Sequence, residues 1–238
     1  MIRLAYDFHI HSGLSPCADE DMTPANIVGM ATIKGLDVIA LTDHNSCKNC
    51  QAIMHWAKQY GVMVLPGMEL TTLEEVHVLC LFSELEKAMA FDQYVYAHLN
   101  KCSNMPEIFG SQWIYNEKDE VEAVEERLLI QSTDIRFDQV YGLVNQYDGV
   151  MIPAHIDKKA NSLLYNLGFV PETSKFRSIE ISNREEQKKT IEAHRYLAEC
   201  LVLYDSDAHY LTDISERKHY LEVPKKSRKE IIHVLRNT

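Results

Sequence analysis

Glycine and proline are scarce in this chain, 9 and 7 among 238 residues, which argues against a long linker or a disordered tail. No apolar stretch approaches the roughly 20 residues that a membrane-spanning helix needs. The opening, Met1-Ile2-Arg3-Leu4, leads into strand-like sequence without the pattern of a signal peptide, so a cytoplasmic location is expected. Basic charge is also short: 24 Lys and Arg face 35 Asp and Glu, a net charge of −11. Such a surface repels nucleic-acid backbones, and no basic stripe with interleaved aromatics offsets it. A small substrate is therefore favoured over nucleic acid or a membrane. The run Lys225-Lys226-Ser227-Arg228-Lys229 is short and opens an amphipathic segment, which makes it a solvated helix face. Glycine-rich phosphate loops of the Walker or dinucleotide type are missing as well.

What is present is an ordinary globular balance, 46% apolar and 25% charged, in a length suited to one large domain or one α/β barrel. The six cysteines, Cys17, Cys47, Cys50, Cys80, Cys102 and Cys200, are expected as thiols in a cytosolic chain. Cys47-Lys48-Asn49-Cys50 has the C-x-x-C form, but no second pair follows at zinc-ribbon spacing. It reads as two cysteines near a helix start.

Short apolar runs alternate with helical stretches. Strands are expected at 4–10, 37–42, 62–65, 76–82, 150–153, 178–182, 201–205 and 219–223. Helices are expected at 23–34, 46–60, 84–100, 120–131, 136–147, 184–198 and from 227, with Pro24 early in the first and Gly61 closing the second. Residues 101–119, with Pro106, Gly110 and Trp113, read as an irregular excursion and a candidate lid. The alternation argues for a parallel α/β architecture, and the recurrence of polar residues just after the strands favours a barrel with its site in the βα loops. One domain over 1–238 is expected.

Those polar residues carry the chemistry. Asp7-Phe8-His9-Ile10-His11 sets two imidazoles two residues apart on a strand, where alternation points both to one face. Asp205-Ser206-Asp207-Ala208-His209 does the same with a carboxylate and an imidazole near the other end. Between them come Thr42-Asp43-His44-Asn45, Gly67-Met68-Glu69, Glu75-Val76-His77 and Pro153-Ala154-His155-Ile156-Asp157, each at the end of an apolar strand. One such histidine would be a satisfied core residue. Six with carboxylates in step are not, because burying them together costs several kcal/mol each unless they pair or hold metal. Mixed imidazole and carboxylate donors suit Zn²⁺, Mn²⁺ and Fe²⁺.

In this order, His-x-His, Asp, Thr-Asp-His, Glu, His, Ala-His and Ser-Asp-Ala-His resemble the PHP (polymerase and histidinol phosphatase) family from about residue 5 to 210. The resemblance implies a distorted (β/α)7 TIM-like barrel with two or three metal ions at its rim. It also implies phosphate-ester hydrolysis by a hydroxide bridging the ions. Carried over, the ligands are His9, His11, Asp19, His44, Glu69, His77, His155, Asp207 and His209, enough for a trinuclear site. Family members commonly have Ser-Asp-Gly soon after His-x-His. The longer loop here leaves Asp19 or Asp21 for that ligand, and the distance back from Pro24 favours Asp19. Asp43 is expected to orient an imidazole, and Asp7 and Asp205 to do likewise or to satisfy strand-end amides. His55, His98, His194, His219 and His233 read as structural or surface residues.

Bound cations would draw a phosphate into the pocket despite the acidic surface. Glu69 and Asp207 sit among the reacting groups, and His209 or His44 is placed to protonate the leaving oxygen. Lys158 and Arg184, each just past a strand, are candidates to hold the substrate phosphate. An amidohydrolase would use similar ligands but commonly adds a lysine on a mid-barrel strand, and none is offered here. A nuclease and a metal-binding regulatory protein without turnover are the remaining alternatives. Substrate, metal identity and oligomeric state are not legible.

Overall fold

Alternating apolar runs become strands wherever they find partners, and ten do so in a computed structural model that describes residues 1–237. In chain order the elements are β1 (Ile2–Ile10), α1 (Pro24–Ile33), β2 (Val38–Leu41), α2 (Cys50–Tyr60), β3 (Met63–Thr71), β4 (His77–Leu81) and α3 (Leu85–His98). They continue as α4 (Pro106–Phe109), β5 (Trp113–Tyr115), β6 (Val121–Val124), α5 (Phe137–Gln146), β7 (Val150–Pro153) and α6 (Leu163–Asn166). The last are β8 (Ser178–Glu180), α7 (Gln187–Ala193), a 3₁₀ turn at Arg195–Glu199, β9 (Leu201–Leu203), a 3₁₀ turn at Leu211–Asp213, β10 (Tyr220–Val223) and α8 (Arg228–Asn237).

One sheet runs β10-β1-β2-β3-β4-β7 and a second pairs β8 with β9. Single bonds carry the curl onward. The Ile156 amide donates to Glu180 O at 3.0 Å beyond β7, and the His11 amide to Ala208 O at 3.0 Å, back to β1. The result is the TIM-like barrel of the expected class, only partly closed.

Apolar residues sort to the two faces by alternation. Ile39 and Leu41 of β2 and Val78 and Cys80 of β4 face the helices α1, α2, α3 and α5. Val38, Ala40, Leu79 and Leu81 face inward, where Ile231, Ile232 and Leu235 of α8 join them. The caps follow the sequence: Thr23 accepts from the Asn26 amide ahead of Pro24, and Gly61 ends α2 at φ +72.

Several expectations need correction. The sheet is not parallel throughout, because β4 runs antiparallel to both β3 and β7. Only residues 72–76 separate β3 from β4, too few for a crossover helix, so the chain turns back as a hairpin. The helix expected over 120–131 is instead β6 and turns, since Val121–Val124 pairs with β5. Residues 101–119 are thus not wholly irregular. They hold α4 and β5, and they lie against the loop after β1 through the Trp113 amide on Gly13 O at 2.7 Å. The second helix starts at Cys50, not Ser46, because Asp92 accepts from the Ser46 hydroxyl and the Cys47 amide and holds that stretch in turns. Cys47 and Cys50 are free and buried, and both thiols donate to Gly67 O. Gly67 is required there: a Cβ would come within 2.6 Å of Cys80 O on β4. Among the described residues, no helix is long and apolar enough to cross a membrane.

Candidate metal centre

The site begins with an irregularity in β1. Leu4, Tyr6 and Phe8 face inward while Ala5 faces the helices, so even positions point in. The pairing of β1 with β2 shifts register between Asp7 and Ile10, after which Ile10 faces the helices. A bulge of this kind re-aims side chains. It puts His9 and His11 on the inward face, with their Nε2 atoms 3.2 Å apart. On β3 and β4 ordinary alternation suffices, since Glu69 follows Leu65 and His77 precedes Leu79 at even intervals.

Glu69 is the hub and is 1% exposed. Its Oε1 lies 2.8 Å from His77 Nδ1, 3.1 Å from His155 Nε2 and 3.3 Å from His9 Nε2. Its Oε2 lies 3.0 Å from His44 Nδ1 and 3.5 Å from His11 Nε2. Asp207 forms the second pole, with Oδ1 at 3.2 Å from His9 Nε2 and 3.3 Å from His11 Nε2. His209 stacks on His11 with ring centroids 4.2 Å apart and holds its Nδ1 2.9 Å from Asp207 O.

Burial works against charge on every one of these groups, and the partners decide the outcome. For His9 burial is outweighed by Glu180, Asp207 and Glu69, which hold it well above the ordinary histidine range. Burial and the neighbouring His209 and His44 push His11 well below that range. Glu69 is held well below the usual carboxylate range by His77, His9 and His44 despite its burial. Asp207 is likewise lowered, by His9 and His11. His44 is raised to about 10 because Glu69 and Cys17 overcome its burial.

A second layer fixes the ring orientations. Glu180 Oε2 lies 2.8 Å from His9 Nδ1, and its Oε1 accepts the His155 amide at 3.1 Å. The sequence reading missed Glu180, though a signal existed: in Ser178-Ile179-Glu180-Ile181 a carboxylate alternates with two core isoleucines. Asp43 does not touch an imidazole as expected. It accepts from Ser12 N, Ser12 Oγ and Ser15 Oγ at 2.7 Å each, and Ser15 Oγ lies 2.9 Å from His11 Nδ1. Its influence on the ring passes through Ser15. Asp7 and Asp205 satisfy amides: Asp7 accepts from Ser206 and Ser215, and Asp205 from Phe8. His155 and Asp207 have φ of +28 and +54, a backbone strain that sites of function tolerate.

This donor set fits divalent cations. Donor atoms of three groups, His9–His11–Glu69, His44–Glu69–His77 and His11–His44–His209, lie within 4.8 Å of one another. His44 Nδ1 and Glu69 Oε2 face each other at 3.0 Å, yet neither has a hydrogen-bond partner. Buried orphan atoms of opposite polarity, among imidazoles and carboxylates, are what a borderline metal ion satisfies.

Residues 7–211 match the PHP domain family. The chain belongs to the PHP family. Hydrolysis of phosphoester bonds with metal ions is that family's activity. The chain is also 31% identical over 98 residues to an uncharacterized protein of Methanocaldococcus jannaschii, covering 37% of this chain and 57% of that one. Among solved structures it resembles the lesion-specific endonuclease Q of Pyrococcus furiosus, with TM-score 0.72, 19% identity, all of this chain and 56% of that chain. A protein described as a metal-dependent phosphoesterase of Bifidobacterium adolescentis matches with TM-score 0.61 and 17% identity over 97% of this chain and 94% of that one. The part matched is thus little more than half the length of the first two relatives.

Within the PHP frame, eight of the nine expected ligands converge: His9, His11, His44, Glu69, His77, His155, Asp207 and His209. The ninth, Asp19, is bonded through its amide to His209 O at 2.9 Å, its Oδ1 accepts the Asp21 amide at 2.9 Å, and no hydrogen bond or ion pair among the described residues joins its carboxylate to an imidazole. Of the two phosphate candidates, Lys158 reaches the cluster through an ion pair with Asp207 Oδ2. Arg184 instead lies over the Tyr204 ring, 4.1 Å from its centroid. No strand among the described residues carries a lysine, against the amidohydrolase pattern. Of the remaining histidines, His98 pairs with Asp134, His55 with Glu117, and His233 with Asn237.

Proposed function

We propose that this chain hydrolyses a small phosphate ester at a di- or trinuclear centre of Mn²⁺, Zn²⁺ or Fe²⁺ held by the eight converging residues. The observation that carries it is Glu69, one buried carboxylate facing five imidazoles, with Asp207 facing two of the same rings. Bound divalent ions would polarise the phosphoryl oxygens and make water acidic enough to attack at neutral pH. The protein's part is to fix the donors and to exclude competitors. Glu180 and Ser15 lock the His9 and His11 rings, so the centre does not have to rearrange as substrate arrives. Lys158, exposed on a long stem beside Asp207, is the cation placed to hold a phosphate oxygen. His209 is the better placed of the two histidines to give a proton to the leaving oxygen, because it is half-buried whereas His44 is shut against Glu69.

The small substrate is supported by the net charge of −11, which repels a nucleic-acid backbone. A second reading, a nucleic-acid diester, is favoured by the fold shared with a lesion-specific endonuclease across the whole chain.

Assays of the Mn²⁺- and Zn²⁺-loaded protein against nitrophenyl phosphate, bis-nitrophenyl phosphate, nucleoside monophosphates and short oligonucleotides separate the two. Turnover of monoesters is expected. Cleavage of oligonucleotides alone would overturn the small-substrate reading. Metal binding without turnover of any ester would favour a regulatory role.

A further inference from the structure

Asn49 stands immediately before α2, at the position where an asparagine usually caps its own helix. Here its side chain makes no cap and turns to three other partners. Its Oδ1 accepts the Tyr115 amide at 2.9 Å, and its Nδ2 donates to Trp113 O at 3.0 Å. Both partners belong to β5, so one side-chain amide grips the edge of that strand. Nδ2 also donates to Ser12 Oγ at 2.9 Å, in the loop after β1. The amide's orientation is not free, because the Tyr115 N–H must meet the oxygen.

From Ser12 the bonds lead on to the histidine cluster. Ser12 Oγ donates to Asp43 Oδ2 and Ser15 Oγ to Asp43 Oδ1, each at 2.7 Å. With its one proton committed to Asp43, the Ser15 hydroxyl can only accept from its other neighbours. It accepts the His44 amide at 3.1 Å and the His11 Nδ1 proton at 2.9 Å. His11 is thereby fixed as the Nδ1–H tautomer. Its bare Nε2 is turned to Glu69 at 3.5 Å and to Asp207 at 3.3 Å. Asn49, Ser12, Asp43, Ser15 and His11 are each at most 1% exposed, so bulk water does not stand ready to replace a lost bond.

We propose that Asn49 is a positioning residue of the metal centre, through which β5 sets the His11 ring. The proposal rests on the metal-centre reading above. It makes β5, within the stretch expected as a lid, a fixed support for one of the ligands. Asn49→Asp keeps the side-chain shape but sets an oxygen against Trp113 O and draws the Ser12 proton away from Asp43.

The test records ring-nitrogen NMR of the histidine-labelled full chain, metal-free and with Zn²⁺, together with Zn²⁺ affinity and melting temperature. The metal-free wild type should show a protonated His11 Nδ1. Asn49→Asp should shift or broaden that signal and weaken Zn²⁺ binding about tenfold. Ser15→Ala should do at least as much, and the double variant no more than Ser15→Ala alone, because both changes cut one chain of bonds. Ser12→Ala keeps every bond from Asn49 to β5, yet it too should weaken Zn²⁺ binding. A lower melting temperature in Asn49→Asp with the His11 signal and Zn²⁺ affinity unchanged would overturn the proposal and leave Asn49 an anchor of β5. Additive losses in the double variant, or Ser12→Ala indistinguishable from wild type, would overturn it too. Should Asn49→Asp not fold, the Ser12→Ala result decides. A wild type that binds no Zn²⁺ would overturn the metal-centre reading, while the His11 signal would still judge Asn49.

Discussion

The inward face of the barrel has two unlike halves built from the same strands. In one, Phe8, Leu65, Leu79, Leu81 and Ile152 pack against α8 and lose all or nearly all exposure. In the other, on the same strands or just past their ends, six imidazoles and two carboxylates crowd together. Burial stabilises the first half and opposes the second. Among the polar groups, donor faces donor, as with the two Nε2 atoms of His9 and His11 at 3.2 Å. Only protons or metal cations reconcile such neighbours. The apolar half thus supplies stability that the site half consumes, and function is concentrated where packing logic is violated.

The comparison breaks if the site half proves to be structural. Asp207→Ala should lower kcat/KM by about three decades or more, on the order of 4 kcal/mol, while the folded signal by circular dichroism is retained. His194→Ala, the same side-chain chemistry outside the cluster, should leave kcat/KM within about twofold. Equal damage from both would end the division.

The apolar half should answer in the opposite currency. Phe8→Ala should destabilise the fold by roughly 3–4 kcal/mol in denaturant unfolding, with kcat per folded molecule little changed. A loss of stability under about 1 kcal/mol would mean that the inward apolar cluster is not the stabilising half.

Lys158→Ala sharpens the boundary between site and surface. It should reduce kcat/KM on a monoester by about ten- to a hundredfold, or ~1.4–2.8 kcal/mol, with metal content intact. Unchanged kinetics would assign the ion pair with Asp207 a structural role only.

The smallest effect is a proton count. In the metal-free protein His44 is raised to about 10 because Glu69 and Cys17 overcome its burial. That pairing stabilises the metal-free fold fully below the ordinary histidine range and is lost as pH rises toward 10. A metal ion needs the neutral ring, so loading at pH 7 should release at least about one proton per chain, and affinity should weaken as pH falls. Titration calorimetry in two buffers of different ionisation heat measures the release. A count of zero would contradict it.

Much of the donor set was legible because its signals are local. His9 and His11 stand two apart, and Asp207 and His209 repeat the spacing near the other end. Glu180 was equally readable from its alternation with Ile179 and Ile181, but a glutamate in a three-residue strand carries no metal signature of its own. Asp19 was less legible for a different reason. Counting back from Pro24 finds a carboxylate, yet it cannot show which way a loop side chain turns. The β6 hairpin strand, read as helix, has exposed residues throughout, so no buried face marked its period.

Residue order by itself determined which donors exist and that most sit at strand ends, because donor chemistry belongs to the side chain and alternation needs only neighbours along the chain. The tertiary structure alone decided that β1 changes phase between Asp7 and Ile10, that β4 runs antiparallel, and that Glu180 meets the His9 ring. Each of these depends on the register between segments far apart in sequence, and no local pattern specifies that register.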